Sequence, residues 1–356
     1  MRLRLLAVVV AVLLILAVVW RVTRPGETAA GTCSTNPAEV TGIVGSEKET
    51  FLKDPRVVDV FRCAGFMLRI DGDGSRDMVN RVGSGYDFAF PSSTPTAEKI
   101  MQTRGIAESY KPFSSVMGVA TWQPTVDVLR RAGVVETVKD RDVVSIRRLV
   151  EMSGQGTTWK KINQSSPNGN VVMLRTTDPA DSNSAIMFLS IASAVLNDDR
   201  PVSGADTLPK LMPGLCRLVL DQGTKPNTSG VLFEEYLTGG AERIPMALVY
   251  ESQFLDTVSA QKVPGGGDHV LLFPNPTVYA WHTVVPLTPA GSAVGKLLRD
   301  DETLKDIAAE YGFRPQGRTL ADRPNPPVVV EPPDYQVLEM MLDRLAEQRK
   351  AAQCPR

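Results

Sequence analysis

Strand-like and helix-like stretches alternate along most of this chain, and that alternation limits the folds open to it. "EVTGIVGS" is rich in β-branched residues, and "EKETFLKDPRVVDVFRCAG" behind it carries helical periodicity. "FMLRID", "YDFAF" and "SSVMGVATW" are again strand-like, separated by the helical stretches "SRDMVNRVG" and "PTAEKIMQTRG". This βαβα rhythm predicts an α/β fold with a mainly parallel sheet covered by helices on both faces. A second series follows, containing the strand-like "NVVMLRT", the long helix "SAIMFLSIASAVL" and the strand-like "IPMALVYES". The chain then returns through "HVLLFPNPTVYAWHTVVPLT" to a helix in "GSAVGKLLRDDETLKDIAAEYGF". No internal repeat is visible. Two α/β lobes are expected, with "SSVMGVATW" and the segment near "NPTVYAWHT" crossing between them.

Composition supports two folded bodies and removes one class of partner. With 356 residues, 43% of them hydrophobic, the chain can bury a large core. The net charge is −1, with acids and bases mixed along the length. No basic stripe argues for nucleic acid, so neither DNA nor RNA is an expected partner.

The start departs from the average. Arg2 and Arg4 precede an uncharged run from Leu5 to Trp20, closed by Arg21 and Arg24. Such a run gives roughly 24 Å of apolar helix, enough to span a bilayer. A signal peptide has the same form, but the small residues of "TAAGTC" lie farther from the apolar run than a cleavage site normally does. An uncleaved signal anchor is therefore expected over 1–35. A lipid attachment at Cys33 is disfavoured, because "AGTC" lacks the usual Leu ahead of the Cys. Arginines on both flanks leave orientation open by charge alone. No second apolar span follows Arg24, so the economical reading is a single-pass cell-membrane protein with its body extracellular or periplasmic.

Four cysteines suit two disulfides outside the cytoplasm, with three pairings possible. Cys33 with Cys63 and Cys216 with Cys354 is the expected set; buried free thiols at Cys63 and Cys216 are the alternative. No Cys or His spacing suggests zinc, and no metal or other cofactor is expected.

Four turns carry the candidate binding residues, each at a strand end leading into a helix, where exposed amides favour acceptors. In "GSEKE", Ser46 offers a hydroxyl and Lys48 positive potential, although Ser46 and Glu49 also have the spacing of a capping box. In "DGDGSR", two glycines allow close backbone approach, and Ser75 with Arg76 could grip an oxyanion. A plain turn is the competing reading, and the acid spacing does not complete a calcium loop. In "PSSTPT", Thr94 and Pro95 form an N-cap and first helical position, leaving Ser92 and Ser93 as surplus hydroxyls. In "TTDPADSNSAIMF", Thr177, Asp178, Ser182, Asn183 and Ser184 lead straight into an apolar helix, more donors than a single cap explains.

Catalytic chemistry finds little support. The two histidines are His269 and His282. His269 follows three glycines and is expected in a surface loop, while His282 beside Trp281 suits packing or a hinge. No G-x-S-x-G elbow, H-E-x-x-H motif or Walker loop occurs, so no catalytic residue is assigned.

Together "GSEK", "GSR", "YDFAFPSS", "TTDPADSNSA", "ALVYESQFLD", "PNPTVYAWHTVVPLT" and "AAEYGFRP" resemble, in order and spacing, the bacterial extracellular solute-binding proteins of the type II class. That group includes molybdate- and phosphate-binding proteins, and the resemblance covers roughly Glu39 to Pro315. It implies two lobes, 36–120 with 275–320 and 121–274, joined by two crossing strands and closing on a small ligand. It also implies that Ser46, Ser75 and the Ser182–Ser184 turn face the cleft, and that Tyr250 and Glu251 stand at another ligand-facing strand end. Lys48 and Arg76 hint at an anionic ligand, while Glu47, Asp178 and Glu251 could offset them or recognise an amine.

The retained apolar segment and an extra tail, 321–356, depart from the transport-coupled pattern. A Pro-rich linker precedes a helix whose Val337, Leu338, Met341, Leu342 and Leu345 form one apolar stripe. That stripe either docks on its own body or binds a partner. The expected function is capture of a small ligand for ABC-type uptake or sensing, with a transporter permease as partner. The alternative is an envelope interaction or assembly protein that keeps the fold without a ligand.

Overall fold

The computed structural model describes residues 33, 35–83, 85–259, 263, 268–351 and 354, with the backbone only for Ser75, Arg76, Asp77 and Ser259. The apolar run Leu5–Trp20, and with it the expected anchor, lies outside these residues. Among the described residues, no helix is long and apolar enough to cross a membrane.

In the first lobe, β1 (Ala38–Gly45) lies between β2 (Phe66–Asp73) and β3 (Phe88–Phe90), parallel to both. Val40, Ile43 and Val44 of β1 are fully buried. Gly42 is required by packing, because a Cβ there would lie 2.1 Å from the Phe88 ring. Helix α1 (Pro55–Cys63) starts where sequence chemistry places it: the Asp54 carboxylate accepts from the Arg56 amide, with Pro55 in the first turn. Helices α2 (Ser75–Arg81) and α3 (Thr94–Arg104) follow β2 and β3. The N-cap of α3 is Ser93 rather than Thr94, which enters the first turn instead.

β4 (Tyr110–Trp122) connects the lobes. Its first half runs antiparallel to β9 (Tyr279–Pro286), and its second half to β7 (Met246–Tyr250) and β8 (His269–Asn275). The second lobe adds a hairpin of β5 (Val135–Val138) and β6 (Arg141–Ser145). Lys139 and Asp140 turn this hairpin with φ of 48° and 61°, the left-handed pair that a two-residue turn requires. Around the sheet pack α4 (Gln123–Arg131), α5 (Ile146–Gly154), the buried α6 (Asn183–Leu196), α7 (Leu208–Leu220) and α8 (Ser229–Arg243). After β9, α9 (Pro289–Asp300) and α10 (Glu302–Glu310) return to the first lobe, and β10 (Arg314–Pro315) pairs with β4.

The strand order is β2-β1-β3-β9-β4-β8-β6-β5, with β7 and β10 also on β4. The sheet is mixed rather than mainly parallel. Parallel pairing holds for β1 with β2 and β3, and for β6 with β8. The strands that carry the chain between lobes run against their neighbours, and a local βα rhythm does not reveal that. "NVVMLRT" also departs from expectation. It makes isolated bridges, Val171 to Thr158 and Arg175 to Ala247, instead of a ladder. Loop and strand backbone take several of its polar groups, and a side chain takes one: the Thr176 amide donates to Gln222 Oε1 at 2.9 Å.

The tail docks on its own body, and its stripe is not presented to a partner. Helix α11 (Tyr335–Lys350) buries Val337, Leu338, Met341, Leu342 and Leu345 in the second-lobe core. It lies against α7 and α6 and also reaches α3 of the first lobe. Both expected disulfides are present, Cys33–Cys63 and Cys216–Cys354, the latter fastening the end of the tail to α7.

Candidate functional site

The turns after β1 and β3 meet the N-terminus of α6 and the end of β7 in the cleft between the lobes. β1 ends at Gly45 and enters a short 3-10 turn, Ser46–Lys48, which directs Lys48 inward. The Lys48 side chain is completely buried. Its Nζ donates to the Glu47 carboxylate and to Ser92 Oγ at 2.8 Å, and lies 3.2 Å from His282 Nδ1. Ser92 Oγ in turn donates to Glu47 Oε1. The ammonium also sits 4.9 Å from the centre of the Phe90 ring.

Electrostatics assigns the protons. Burial alone would raise the Glu47 carboxyl, but the adjacent Lys48 charge holds it well below the usual range. Burial pulls the Lys48 ammonium down, and Glu47 offsets part of that. Burial and the Lys48 charge lower His282 to about 4, so its imidazole is neutral at physiological pH. A neutral ring facing an ammonium at 3.2 Å accepts through Nδ1 and carries its proton on Nε2. That Nε2 is buried without a hydrogen-bond partner. Glu47 and Lys48 compensate one another, and the three protons of the Lys48 ammonium face Glu47, Ser92 and His282. Its positive potential is spent inside the first lobe.

The second lobe supplies Asn183 and Tyr250, both buried. Asn183 Nδ2 donates across the cleft to the Ser92 carbonyl at 3.1 Å and, within its own lobe, contacts the Tyr250 hydroxyl at 3.0 Å. Asn183 Oδ1 has no partner. The hydroxyls around it form a chain, with Thr177 Oγ1 2.7 Å from Ser184 Oγ and Ser182 Oγ 3.0 Å from it. Burial pushes the Tyr250 hydroxyl well above its ordinary value, so it remains a neutral donor. Gly74 explains part of "DGDGSR": a Cβ there would stand 2.6 Å from the Asp181 carbonyl, so the two lobes touch backbone to side-chain-free backbone. Ser75 and Arg76 begin α2 beside this contact, and their side chains lie outside the described residues.

The structure gathers Lys48, Ser92, Asn183 and Tyr250 in one cluster. Ser93 stands behind them, its hydroxyl donating to Thr96 Oγ1 at 2.9 Å. Ser46 does not complete a capping box: Gly45 is the N-cap of its turn, and Glu49 pairs with Lys53 at 2.5 Å. Two expected site residues face elsewhere. Asp178 accepts from Arg349 of α11, both oxygens at 2.9 Å. Glu251 is gripped by Arg314 through two hydrogen bonds of 2.6 and 2.8 Å, so its carboxylate is committed before any ligand arrives. His269 is no loop residue. It opens β8 and packs on Trp122 with ring centres 4.2 Å apart, its Nδ1 3.0 Å from the Tyr236 hydroxyl.

His282 and Ser252 belong to the cleft, and sequence reasoning did not place them there; Glu47, expected to offset Lys48 or meet a ligand, does the former. Beside the cluster lies a small interlobe cavity of about 160 Å³, lined by Glu47, Ser46 and Tyr311 from one lobe and by Ser252 and Asp256 from the other, among others. Among the described residues, no group of three or more His, Cys, Asp or Glu could hold a metal ion.

Comparison with solved structures agrees with this architecture. The sulfate-binding protein SubI from Mycobacterium tuberculosis H37Rv superposes with a TM-score of 0.55 at 14% identity, over 82% of this chain and 94% of that one. Iron-bound HitA from Pseudomonas aeruginosa gives 0.54 at 12% identity, over 89% and 100% of the two chains. This chain has the type II periplasmic solute-binding-protein fold. A Bordetella ferric binding protein shares that fold, with a TM-score of 0.52, 11% identity, and coverage of 88% and 99%. No protein-family model and no curated protein matches the sequence. The buried cluster just described lies between the two lobes, joined across them by Asn183 and Ser92.

Proposed function

We propose that the chain is a membrane-anchored solute-binding protein whose body lies outside the cytoplasm and captures a small ligand by lobe closure, for ABC-type uptake or sensing. One observation carries the reading: Asn183 of the second lobe donates to the Ser92 carbonyl of the first, at a cleft lined by hydroxyls and buried amide groups. Such a contact exists only when the lobes are together, so a ligand contacting both faces shifts the open–closed equilibrium toward closure. Hydroxyls and a neutral imidazole suit holding a ligand rather than moving its protons. Two disulfides agree with an oxidising compartment.

The test is a thermal-shift screen of the full chain against oxyanions, amines, amino acids, sugars and organic acids, followed by small-angle scattering with any ligand that stabilises it. A ligand at about one hundred times its dissociation constant adds about 2.7 kcal/mol of apparent stability. A stabilising ligand that also contracts the chain supports capture by closure. Stabilisation without contraction, or silence across the library, counts against it. For the anchor, the mature protein should still begin near Met1, and recovery of a chain starting at Gly31 or at a lipidated Cys33 would overturn it.

A second reading has its own support. Lys48 satisfies itself within the cluster, as an envelope assembly protein with no small ligand would allow. Silence in the screen favours that reading.

A further inference from the structure

We propose that the segment from Gln316 to Val330 is a splint across the back of the hinge, which limits how far the cleft opens. It acts on the hinge whatever the cleft holds. On the first-lobe side, the Gln316 amide donates to the Pro112 carbonyl at 2.9 Å, and the Arg323 guanidinium donates to the carbonyls of Ala309 and Phe313, at and just beyond the end of α10. At the hinge itself, Asn325 Oδ1 accepts from the Tyr279 hydroxyl of β9 at 3.0 Å and from Arg314 of β10 at 3.1 Å. On the second-lobe side, the Thr277 backbone, in the turn between β8 and β9, accepts from the Val330 amide at 2.8 Å and donates to the Val328 carbonyl at 3.0 Å. Lys139 of the β5–β6 hairpin donates to the Pro327 carbonyl at 2.9 Å. Val330 is 8% exposed and belongs to the second-lobe core. The tail is thereby a third link between the lobes, beside β4 and the return through β9.

Strand alternation puts this link on the far side of the hinge from the cleft. Phe113 of β4 pairs with His282 of β9, and that face carries the imidazole whose Nδ1 meets Lys48. The next pair, Ser114 with Trp281, points the other way, as successive strand residues do, and lines a cavity of about 470 Å³ beneath the arch of the tail. Opening a cleft by rotation about the crossing strands draws the far sides of the two lobes together. The splint must then shorten or detach. Its middle resists shortening, because Pro324, Pro326 and Pro327 stand almost consecutively and Pro-rich chain is a semi-rigid, extended spacer. A brace of this kind narrows the swing that a ligand has to close.

The test is small-angle scattering and hydrogen exchange on the ligand-free full chain, with two variants that leave the cleft residues untouched. Asn325→Ala with Lys139→Met removes attachments made by exposed side chains. Pro324→Gly with Pro327→Gly removes stiffness but keeps both carbonyls in place. Expected in each is a larger radius of gyration than in the parent and exchange about tenfold faster at the start of α6, with the amides of β1 unchanged. The start of α6 reports on opening because Asn183 there reaches Ser92 across the cleft. An unchanged glycine variant overturns the splint; if the attachment variant then still opens, the tail is a flexible tether instead. Equal acceleration at β1 also overturns it, because the substitutions then loosen the whole fold. No ligand enters the measurement, so its failure leaves the solute-binding reading standing, and silence in the ligand screen leaves the splint standing.

Discussion

Asn183 Nδ2 donates to the Ser92 carbonyl at 3.1 Å, and the two residues belong to opposite lobes. The same nitrogen lies 3.0 Å from the Tyr250 hydroxyl, so a single amide joins three elements at the cleft. Asn183→Ala removes both contacts and leaves the buried Tyr250 hydroxyl without this partner. The expected cost is about 1–3 kcal/mol in denaturant unfolding, with a larger radius of gyration for the ligand-free chain. Scattering identical to the parent would mean that the closing energy resides in other contacts.

His282 makes stability depend on pH in a defined window. Its folded pKa of about 4 lies below the ordinary 6.5 because burial and Lys48 oppose the imidazolium. Below about 6.5 the unfolded chain binds a proton that the folded chain refuses. The contribution is therefore complete above that pH and is lost as pH falls toward 4. The shift corresponds to roughly 3 kcal/mol at most. Carboxylates add their own loss only from about 4.5 downward, where their unfolded forms protonate. Denaturation midpoints between pH 4.5 and 7 should fall with acidity in the parent and flatten in His282→Gln. His269, also lowered but less buried, is the control: His269→Gln should flatten the curve less.

Arg314 holds Glu251 bidentately and also donates to the carbonyls of Arg323 and Pro324. It thus ties the end of β7 to the start of the tail. Removing one member of such a buried pair strands the other charge, at a cost of about 3–5 kcal/mol. Arg314→Met and Glu251→Gln should each cost this much, and the double variant less than their sum. Linker contacts separate the two singles: Arg314→Met should expose the 321–330 segment to proteinase K, and Glu251→Gln should not. Equal digestion of both would show that the linker is held by other contacts.

Much of this was legible in the chain because it depends on neighbours in sequence. Strand-like runs rich in β-branched and aromatic residues located β1, β2, β3 and β4, and the stripe from Val337 to Leu345 located the buried face of α11. Four cysteines pointed to two disulfides without fixing the pairing, and the expected set is the one the structure forms. The cluster was less readable, because Lys48 and His282 are separated by 234 positions and meet only when β9 returns beside β3. Glu47, the neighbour of Lys48, was legible as one possible offset to its charge, but nothing local singled it out from Asp178 and Glu251. Glu251 misled for the same reason: its partner lies 63 residues downstream. The parallel-sheet expectation failed where the crossing strands run against the lobes they join, which is a property of topology and not of any stretch of residues.

The tail tests whether closure is held from outside the cleft. Helix α11 lies on α7 and α6 of the second lobe and reaches α3 of the first, where Lys99 Nζ sits 5.4 Å from the Tyr335 ring centre. Arg349 grips Asp178 just ahead of the α6 turn that carries Asn183. The Cys216–Cys354 bond closes a loop spanning 138 positions and so keeps the helix end on α7. Losing it frees chain entropy in the unfolded form, worth about 2–4 kcal/mol. Cys354→Ser should lower the unfolding free energy by that amount, and added reductant should then lower the denaturation midpoint less than in the parent, because only Cys33–Cys63 remains to be cut. Leu345→Asp separates anchoring from packing: the disulfide stays, but a charge enters the second-lobe core. If α11 restrains opening, both variants should enlarge the ligand-free chain in scattering; if only stability falls, the helix is a core element and the cleft closes by its own contacts.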